Sequence, residues 1–300
     1  MTHPRIALVT ARVARGTDYD MPPLLAALRE AGAEAHEVDW DDGAVDWPSF
    51  DLALLRSTWD YFERLPEFLD WAERASRQTR LLNPLDVIHW NTDKHYLGDL
   101  ERAGVPVVPS HFIEPGEDAT SAVENFFAAC PPTHDVVVKP AVGAGSRDAQ
   151  RHAPDRREAI IAHVRYLLDA NRSVLLQPYL ERVDEHGETA LLFFEGGFSH
   201  AIRKGPLLKR NEGSTAGLYA TETITPRTPS PDELDVARRA LAAIPFAQPL
   251  LYARVDLIHD DEGSPRLLEL ELVEPSVFVG YADGVAPQFA RAILQRASTA

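Results

Sequence analysis

The chain has 300 residues, 45% hydrophobic and 25% charged, the composition of a folded globular protein and not of a disordered one. A net charge of −16 argues against nucleic acid or an anionic membrane as a partner, and no apolar run approaches the ~20 residues of a membrane span. One cysteine, Cys130, leaves no internal disulfide and no multi-cysteine metal site, and Ile6–Val9 is too short for a signal-peptide core, so the expected location is the cytoplasm.

Arg5–Ala11 reads as a buried strand, followed by a polar loop to Asp20. Pro22–Ala31 has helical periodicity, with prolines at its start and Gly32 as its stop. Asp51–Arg56 predicts a second strand and Glu63–Arg77 a helix, so the first 90 residues predict an α/β unit with a largely parallel sheet. All five tryptophans fall there; most suit a core, and Trp59 is the candidate exception. A boundary is expected between Asn83 and Asn91. A helix follows at Thr92–Ala103, then strands at Val107–Ile113 and Asp135–Lys139, a helix at Asp155–Ala170 and a strand at Ser173–Gln177. Beyond Glu188 strands dominate, interrupted by helices near Pro231–Ala243 and Val285–Arg296.

The common nucleotide and hydrolase motifs are missing: no P-loop, no G-x-G-x-x-G, no nucleophile elbow and no H-E-x-x-H. A distributed set of cations and carboxylates remains. Val136–Pro140 is an apolar strand carrying Lys139, and it runs into Gly143-Ala144-Gly145-Ser146-Arg147. Such a loop can turn backbone N–H groups toward an anion, although a lysine ending a strand can also snorkel to solvent. Lys94 opens a predicted helix, where its charge opposes the helix dipole; a phosphate would explain it, as would a solvated surface. At Gln177-Pro178-Tyr179-Leu180 a strand breaks at a residue without an N–H, leaving backbone groups that suit an adenine edge or a plain loop exit. Two adjacent cations, Arg203 and Lys204, precede the basic stretch Lys209–Thr215.

The most informative segment is a hairpin over Leu250–Val273. With Asp260–Gly263 as a four-residue turn, Asp256 lies opposite Leu267 and Arg254 opposite Glu269. Tyr252, Arg254, Asp256, Glu269 and Glu271 then share one face. Three carboxylates on one face suit Mg²⁺ with phosphate oxygens, or a solvated face balanced by Arg254.

In this order the pieces resemble the ATP-grasp superfamily, in particular glutathione-synthetase-like ligases, over roughly residues 90–280. Arg56-Ser57-Thr58-Trp59-Asp60-Tyr61, His200–Pro206 and Glu269–Ser276 are similar to the subgroup of D-cycloserine cyclo-ligases, which close O-ureido-D-serine. The resemblance implies an N-terminal α/β domain over 1–90 and two ATP-grasp domains, 91–185 and 186–300, enclosing the nucleotide. It implies ATP and Mg²⁺ as cofactors. Lys94, Lys139, Gly143, Gly145 and Ser146 would hold phosphates, Gln177, Tyr179 and Leu180 would read adenine, and Glu188 would lie near ribose or substrate. Arg203 and Lys204 would be catalytic, with Arg203 at the reacting carboxylate or phosphoryl group. Asp256, Glu269 and Glu271 would bind metal, with Glu271 standing where glutathione synthetases carry asparagine. Arg56, Ser57, Thr58 and Ser276 would meet a small amino-acid-like substrate, and a homodimer is expected. An intermolecular carboxylate–amine ligase and a nucleotide-binding protein without turnover share the same ATP residues.

Overall fold

The computed structural model describes residues 3–129, 133–210, 213 and 223–298. Cys130 and most of the Asn211–Thr215 stretch lie outside the described residues. Three sheets follow one another along the chain, in a mixed α/β fold.

The first sheet is parallel, β1 (Arg5–Thr10), β2 (Glu34–Asp39), β3 (Leu52–Ser57) and β4 (Leu81–Leu82), in the order β2-β1-β3-β4. Parallel strands need crossover helices, and α1 (Met21–Glu30) and α2 (Leu65–Ser76) supply them. One face of the sheet packs on α1. The other buries Trp40, Trp47 and Trp71 with Phe68 in edge-to-face contacts. The stretch expected as a boundary is a helix, α3 (Leu85–Asn91). α4 is shorter than expected, Tyr96–Arg102, so Lys94 stands in the turn before it.

The second sheet is antiparallel: β5 (His111–Ile113), β6 (Val136–Pro140), β7 (Gln150–His152) and β8 (Val174–Pro178), in the order β5-β8-β6-β7. α5 (Ala119–Ala129) and α6 (Arg157–Asp169) cover one face through Val123, Phe126, Ile160, Val164 and Leu167. A short α7 (Val183–His186) leads into the third sheet.

That sheet is β9 (Glu188–Phe194), β10 (Gly197–Lys204), β11 (Ile224–Arg227), β12 (Tyr252–His259) and β13 (Pro265–Glu271), in the order β11-β10-β9-β12-β13. α8 (Pro231–Ala242), started by a Ser230–Glu233 capping box, covers one face. α9 (Val285–Ser298) reaches back: Phe289 and Ile293 share one core with Leu24 and Leu28 of α1 and with Phe194 and Tyr252. The first and third sheets therefore share a hydrophobic core.

The hairpin register differs from the sequence expectation. The last paired residues are His259 and Pro265, so the connection has five residues and not four. Asp260 organises it, accepting the N–H of Ser264 at 2.8 Å on Oδ1 and that of Gly263 at 3.0 Å on its carbonyl. A bulge at Leu268 then restores the phase. Asp256 faces Glu269 and Arg254 faces Glu271, while Leu268 turns to join Ile258 and Leu180. The outer edge of β13 is paired at Leu267 by the Pro106–Val108 backbone and beyond it by side chains. Asn91 bonds Leu270 O and Leu272 N, and the Leu270 N–H donates to the Tyr96 hydroxyl.

Candidate active site

A cavity of about 740 Å³ opens between the two antiparallel sheets and is closed on its third side by loops after β1 and β3. That volume suits a nucleotide with a small second ligand. Val137, Lys139 and Gln177 line it from the second sheet, and Glu188, Lys204, Arg254, Glu269 and Glu271 from the third.

At one end, Leu180, Ile258 and Leu268 form an apolar slot beside Tyr179 and Gln177. Gln177 is 2% exposed and donates to the Ser110 hydroxyl at 2.9 Å. The Tyr179 N–H is used by Asp135 O, whereas the Leu180 N–H meets no acceptor among the described residues. That leaves a donor at the slot for a flat heterocycle.

The middle of the cavity is charged. Lys94 Nζ pairs with Glu269 at 2.8 Å and donates to Gly143 O at 3.1 Å, tying the glycine loop to β13. Lys139 has no ion pair among the described residues, and burial pulls its ammonium down to about 8. Gly145 and Ser146 both adopt left-handed backbone, at φ 62° and 58°. Among the described residues the N–H groups of Gly143 to Ser146 donate to nothing. Two lysines and a row of N–H groups without protein acceptors among the described residues, all on residues lining the cavity, are the chemistry that suits an anion.

Next to it stand Glu188, Glu269, Glu271 and Glu274, all lining the cavity. Burial raises Glu188 and Glu274 to about 8 and Glu271 to about 7, with neighbouring carboxylates adding to each. Carboxylates crowded in this way are held by cations or by protons; Lys94, Lys204 and Arg254 pair with Glu269, Glu188 and Glu271, and the donor set, carboxylates beside two lysines, also fits Mg²⁺ with phosphate oxygens. Asp256, the third of the expected metal ligands, is 1% exposed and is not among the residues lining the cavity. Arg254 binds it at 2.9 and 3.0 Å and Lys204 at 2.8 Å, which holds its carboxyl well below the usual range. Lys204 also pairs with Glu188, and Arg254 with Glu271. Glu269 and Glu271 reach the cavity; Asp256 anchors the two cations between them.

Arg203, expected at the reacting group, is not among the residues lining the cavity. Successive strand residues face opposite ways, and with Lys204 in the cavity Arg203 points outward. It donates to the carbonyls of His186 at 2.8 Å and Glu185 at 2.9 Å. Gly187 permits this approach, since a Cβ there would stand 2.7 Å from Arg203 Nε. Arg56, Ser57 and Thr58 are fully buried and stand behind the cavity wall. Arg56 donates to Pro275 O at 3.0 Å, and the Ser57 and Thr10 hydroxyls bond at 2.8 Å. Ser276 does line the cavity, and its carbonyl accepts from Arg254. The expected exception Trp59 does too, its indole donating to Glu274 O at 3.1 Å.

Sequence reading missed the acids after β1. Asp18 and Asp20 line the cavity at its N-terminal end. The Asp20 carboxylate accepts three consecutive N–H groups, from Val277, Phe278 and Val279, at 2.7 to 3.0 Å. It thereby pins the segment after β13, with help from His200, whose Nε2 is 2.9 Å from Val277 O. No local signal marks this, because the partners are about 257 positions apart. Elsewhere, His186, Glu233 and His259 place ligand atoms within 4.8 Å of one another. Arg227 already donates to His186 Nε2 and Thr189 to Glu233, so these groups act as a hydrogen-bonded cluster.

An apolar slot, a lysine-lined anion cradle and adjoining carboxylates between two antiparallel sheets define an ATP-grasp ligase. Solved ligases of that class share the fold. A D-alanine–D-alanine ligase from Bacillus anthracis superposes with TM-score 0.71 at 16% identity over 99% of this chain and 98% of its own. PsnB, an ATP-grasp ligase complexed with its minimal precursor, Mg and ADP, gives 0.62 at 19% over 98% of each chain. The chain belongs to the D-cycloserine synthetase (DcsG) family. The cycloserine biosynthesis protein DcsG of Streptomyces lavendulae is 44% identical over 295 residues, 97% of this chain and 98% of its own. The crystal structure of D-cycloserine synthetase DcsG superposes with TM-score 0.92 at 43% identity, covering 98% and 99% of the two chains. The N-terminal domain of that family matches residues 6–83. No helix among the described residues is long and apolar enough to cross a membrane.

Proposed function

We propose that the protein closes O-ureido-D-serine to D-cycloserine, using MgATP and acting as a cytoplasmic enzyme without nucleic-acid or membrane partners. The end-to-end match to a cycloserine-forming relative carries this reading. The cavity supports it, since a nucleotide-sized slot continues without a break into a small polar end at Asp18 and Ser276.

In this reading Tyr179 and Leu180 hold adenine, and Lys94, Lys139 and the 143–146 N–H groups hold the phosphates. Glu269 and Glu271 hold Mg²⁺, with Glu188 beside them. The bound cation supplies neutralisation of charge on the transferring phosphoryl group. The substrate carboxylate is phosphorylated, and the internal ureido nitrogen displaces phosphate to close the ring. The carbamoyl group then leaves, taking up one water, as ammonia and carbon dioxide. The protein contributes position and charge: Lys204, fixed by Asp256 and Glu188, presents a cation toward the reacting carboxylate. No side-chain nucleophile is needed, in keeping with the absence of a catalytic triad in the sequence.

The test is ADP release with O-ureido-D-serine as sole amino-acid substrate, alongside its L-isomer and D-serine, with the product checked by mass. ADP and a cyclic product from the D-compound alone are expected. ADP only when a second amine is added would replace this reading with an intermolecular ligase. ATP-dependent thermal stabilisation with no ADP under any condition would mean a nucleotide-binding protein without turnover. Sedimentation of the purified protein checks the expected homodimer.

A further inference from the structure

The end of the cavity beyond the carboxylates is built with an imbalance. Asp18 is 5% exposed and lines the cavity: Oδ1 accepts the Asp20 N–H at 2.9 Å and the Ser57 hydroxyl also interacts with the carboxylate, while Oδ2 has no hydrogen-bond partner among the described residues. Asp20 beside it is saturated by the three N–H groups of 277–279. One guanidinium stands behind both, with Arg56 Nη2 3.7 Å from Asp20 and turned to the Pro275 carbonyl. Two carboxylates thus face one cation, and the surplus negative charge lies at the cavity wall. Buried carboxylate oxygens are rarely left unpaired, because the desolvation cost is not recovered. Burial raises the Asp18 carboxyl above its usual range, with Arg56 opposing.

We infer that Asp18 is the receptor for the substrate's α-ammonium group and selects amino acids over their des-amino or hydroxy counterparts. This rests on the reading above, in which the substrate carboxylate points the other way, toward Lys204 and the phosphates. In that orientation the ammonium meets Asp18 and the carboxylate meets the charged middle of the same cavity. The reaction gives the assignment a chemical purpose. The α-amine is not consumed in ring closure and survives in the product. Paired with a carboxylate it stays protonated, hence non-nucleophilic, and cannot attack the acyl phosphate of another substrate molecule. A cyclo-ligase needs the handle and must silence it; Asp18 does both.

Asp18→Asn tests this, since the amide keeps an oxygen for the Asp20 N–H and removes the charge. Thermal shifts are measured on wild type and variant with O-ureido-D-serine and with 3-(ureidooxy)propanoate, its des-amino analogue, and ADP release is followed in parallel. Wild type is expected to prefer the amino compound on the order of 10²-fold, and D18N to lose most of that preference through KM, with a smaller change in kcat. Retained stabilisation of D18N by ATP shows that the variant is folded, and Asp18→Glu should recover part of the preference. An unchanged preference in D18N overturns the assignment while leaving the cyclo-ligase reading intact. An Asp18-dependent shift without ADP release overturns the cyclo-ligase reading and keeps the ammonium site. Neither shift nor ADP in wild type overturns both.

Discussion

Lys139 is a cation held where cations are disfavoured. It leaves β6 into the cavity, and burial is the largest influence on it, with Lys94 pushing the same way and Glu269 and Glu188 opposing. At about 8 its ammonium is present below that pH and lost as pH rises through it. Phosphate pairing should follow the same window. In the free enzyme, kcat/KM for ATP is expected to hold up to pH near 8 and fall above it, and Lys139→Arg should extend the plateau because a guanidinium stays charged. A profile flat to the range of an ordinary lysine would remove Lys139 from the phosphate cradle. Glu269 makes the complementary case. It binds Lys94, so Glu269→Gln keeps the shape and removes the charge. Turnover is expected to drop on the order of 10²- to 10³-fold while ATP still raises the melting temperature. Full activity in E269Q would sink its assignment to the metal.

At the scale of elements, β12 and β13 explain why the carboxylates meet. An even connection was expected to bring Arg254, Asp256, Glu269 and Glu271 to one face; the structure reaches the same face by two odd steps, a five-residue connection and the bulge at Leu268. Alternation of leucine and acid in Leu267–Leu272 made the face legible, but nothing in that alternation announces a bulge. The phase of β10 was not legible either, as Arg203 and Lys204 are neighbours of equal charge and only pairing with β9 decides which enters the cavity. β2 was missed because Glu34-Ala35-His36-Glu37-Val38-Asp39 is mostly polar and takes its strand form from pairing with β1. Arg56 was placed at a strand's end, as expected, yet its side chain serves the Pro275 carbonyl far along the chain. Local pattern thus revealed elements and charged residues, whereas long-range pairing decided which of them touch. The edge of β13 offers a test of that pairing. Asn91 completes two backbone bonds there, so Asn91→Ala should leave a buried carbonyl and N–H unmatched and cost about 2–3 kcal/mol, read by urea unfolding. A loss below about 0.5 kcal/mol would mean the edge finds other partners.

For the whole molecule the decisive contact is between the glycine loop and the first sheet's loops. Val142 and Ala144 pack on the same core as Trp59 and Phe62, and Arg147 reaches Glu63 at 2.6 Å with its guanidinium 5.5 Å from the Phe62 ring. In the proposed reading, the loop that would cradle phosphate would therefore also stand between the reacting carboxylate and water. Both ends of the Arg147–Glu63 pair are exposed, 41% and 47%, so the pair itself is worth little, about 0–1 kcal/mol. Its leverage is on closure, because an acyl phosphate exposed to water for longer hydrolyses before the ring forms. Arg147→Ala should leave ATP binding and the melting temperature nearly unchanged and raise the ratio of ADP formed to cyclic product above that of the wild type, for which one-to-one stoichiometry is expected. Adding salt should shift wild type in the same direction, since screening weakens an exposed pair, and should have little further effect on R147A. A ratio unchanged in both conditions would place the seal in the apolar contacts of Val142 and Ala144 alone, and Val142→Ser would then be the variant that leaks.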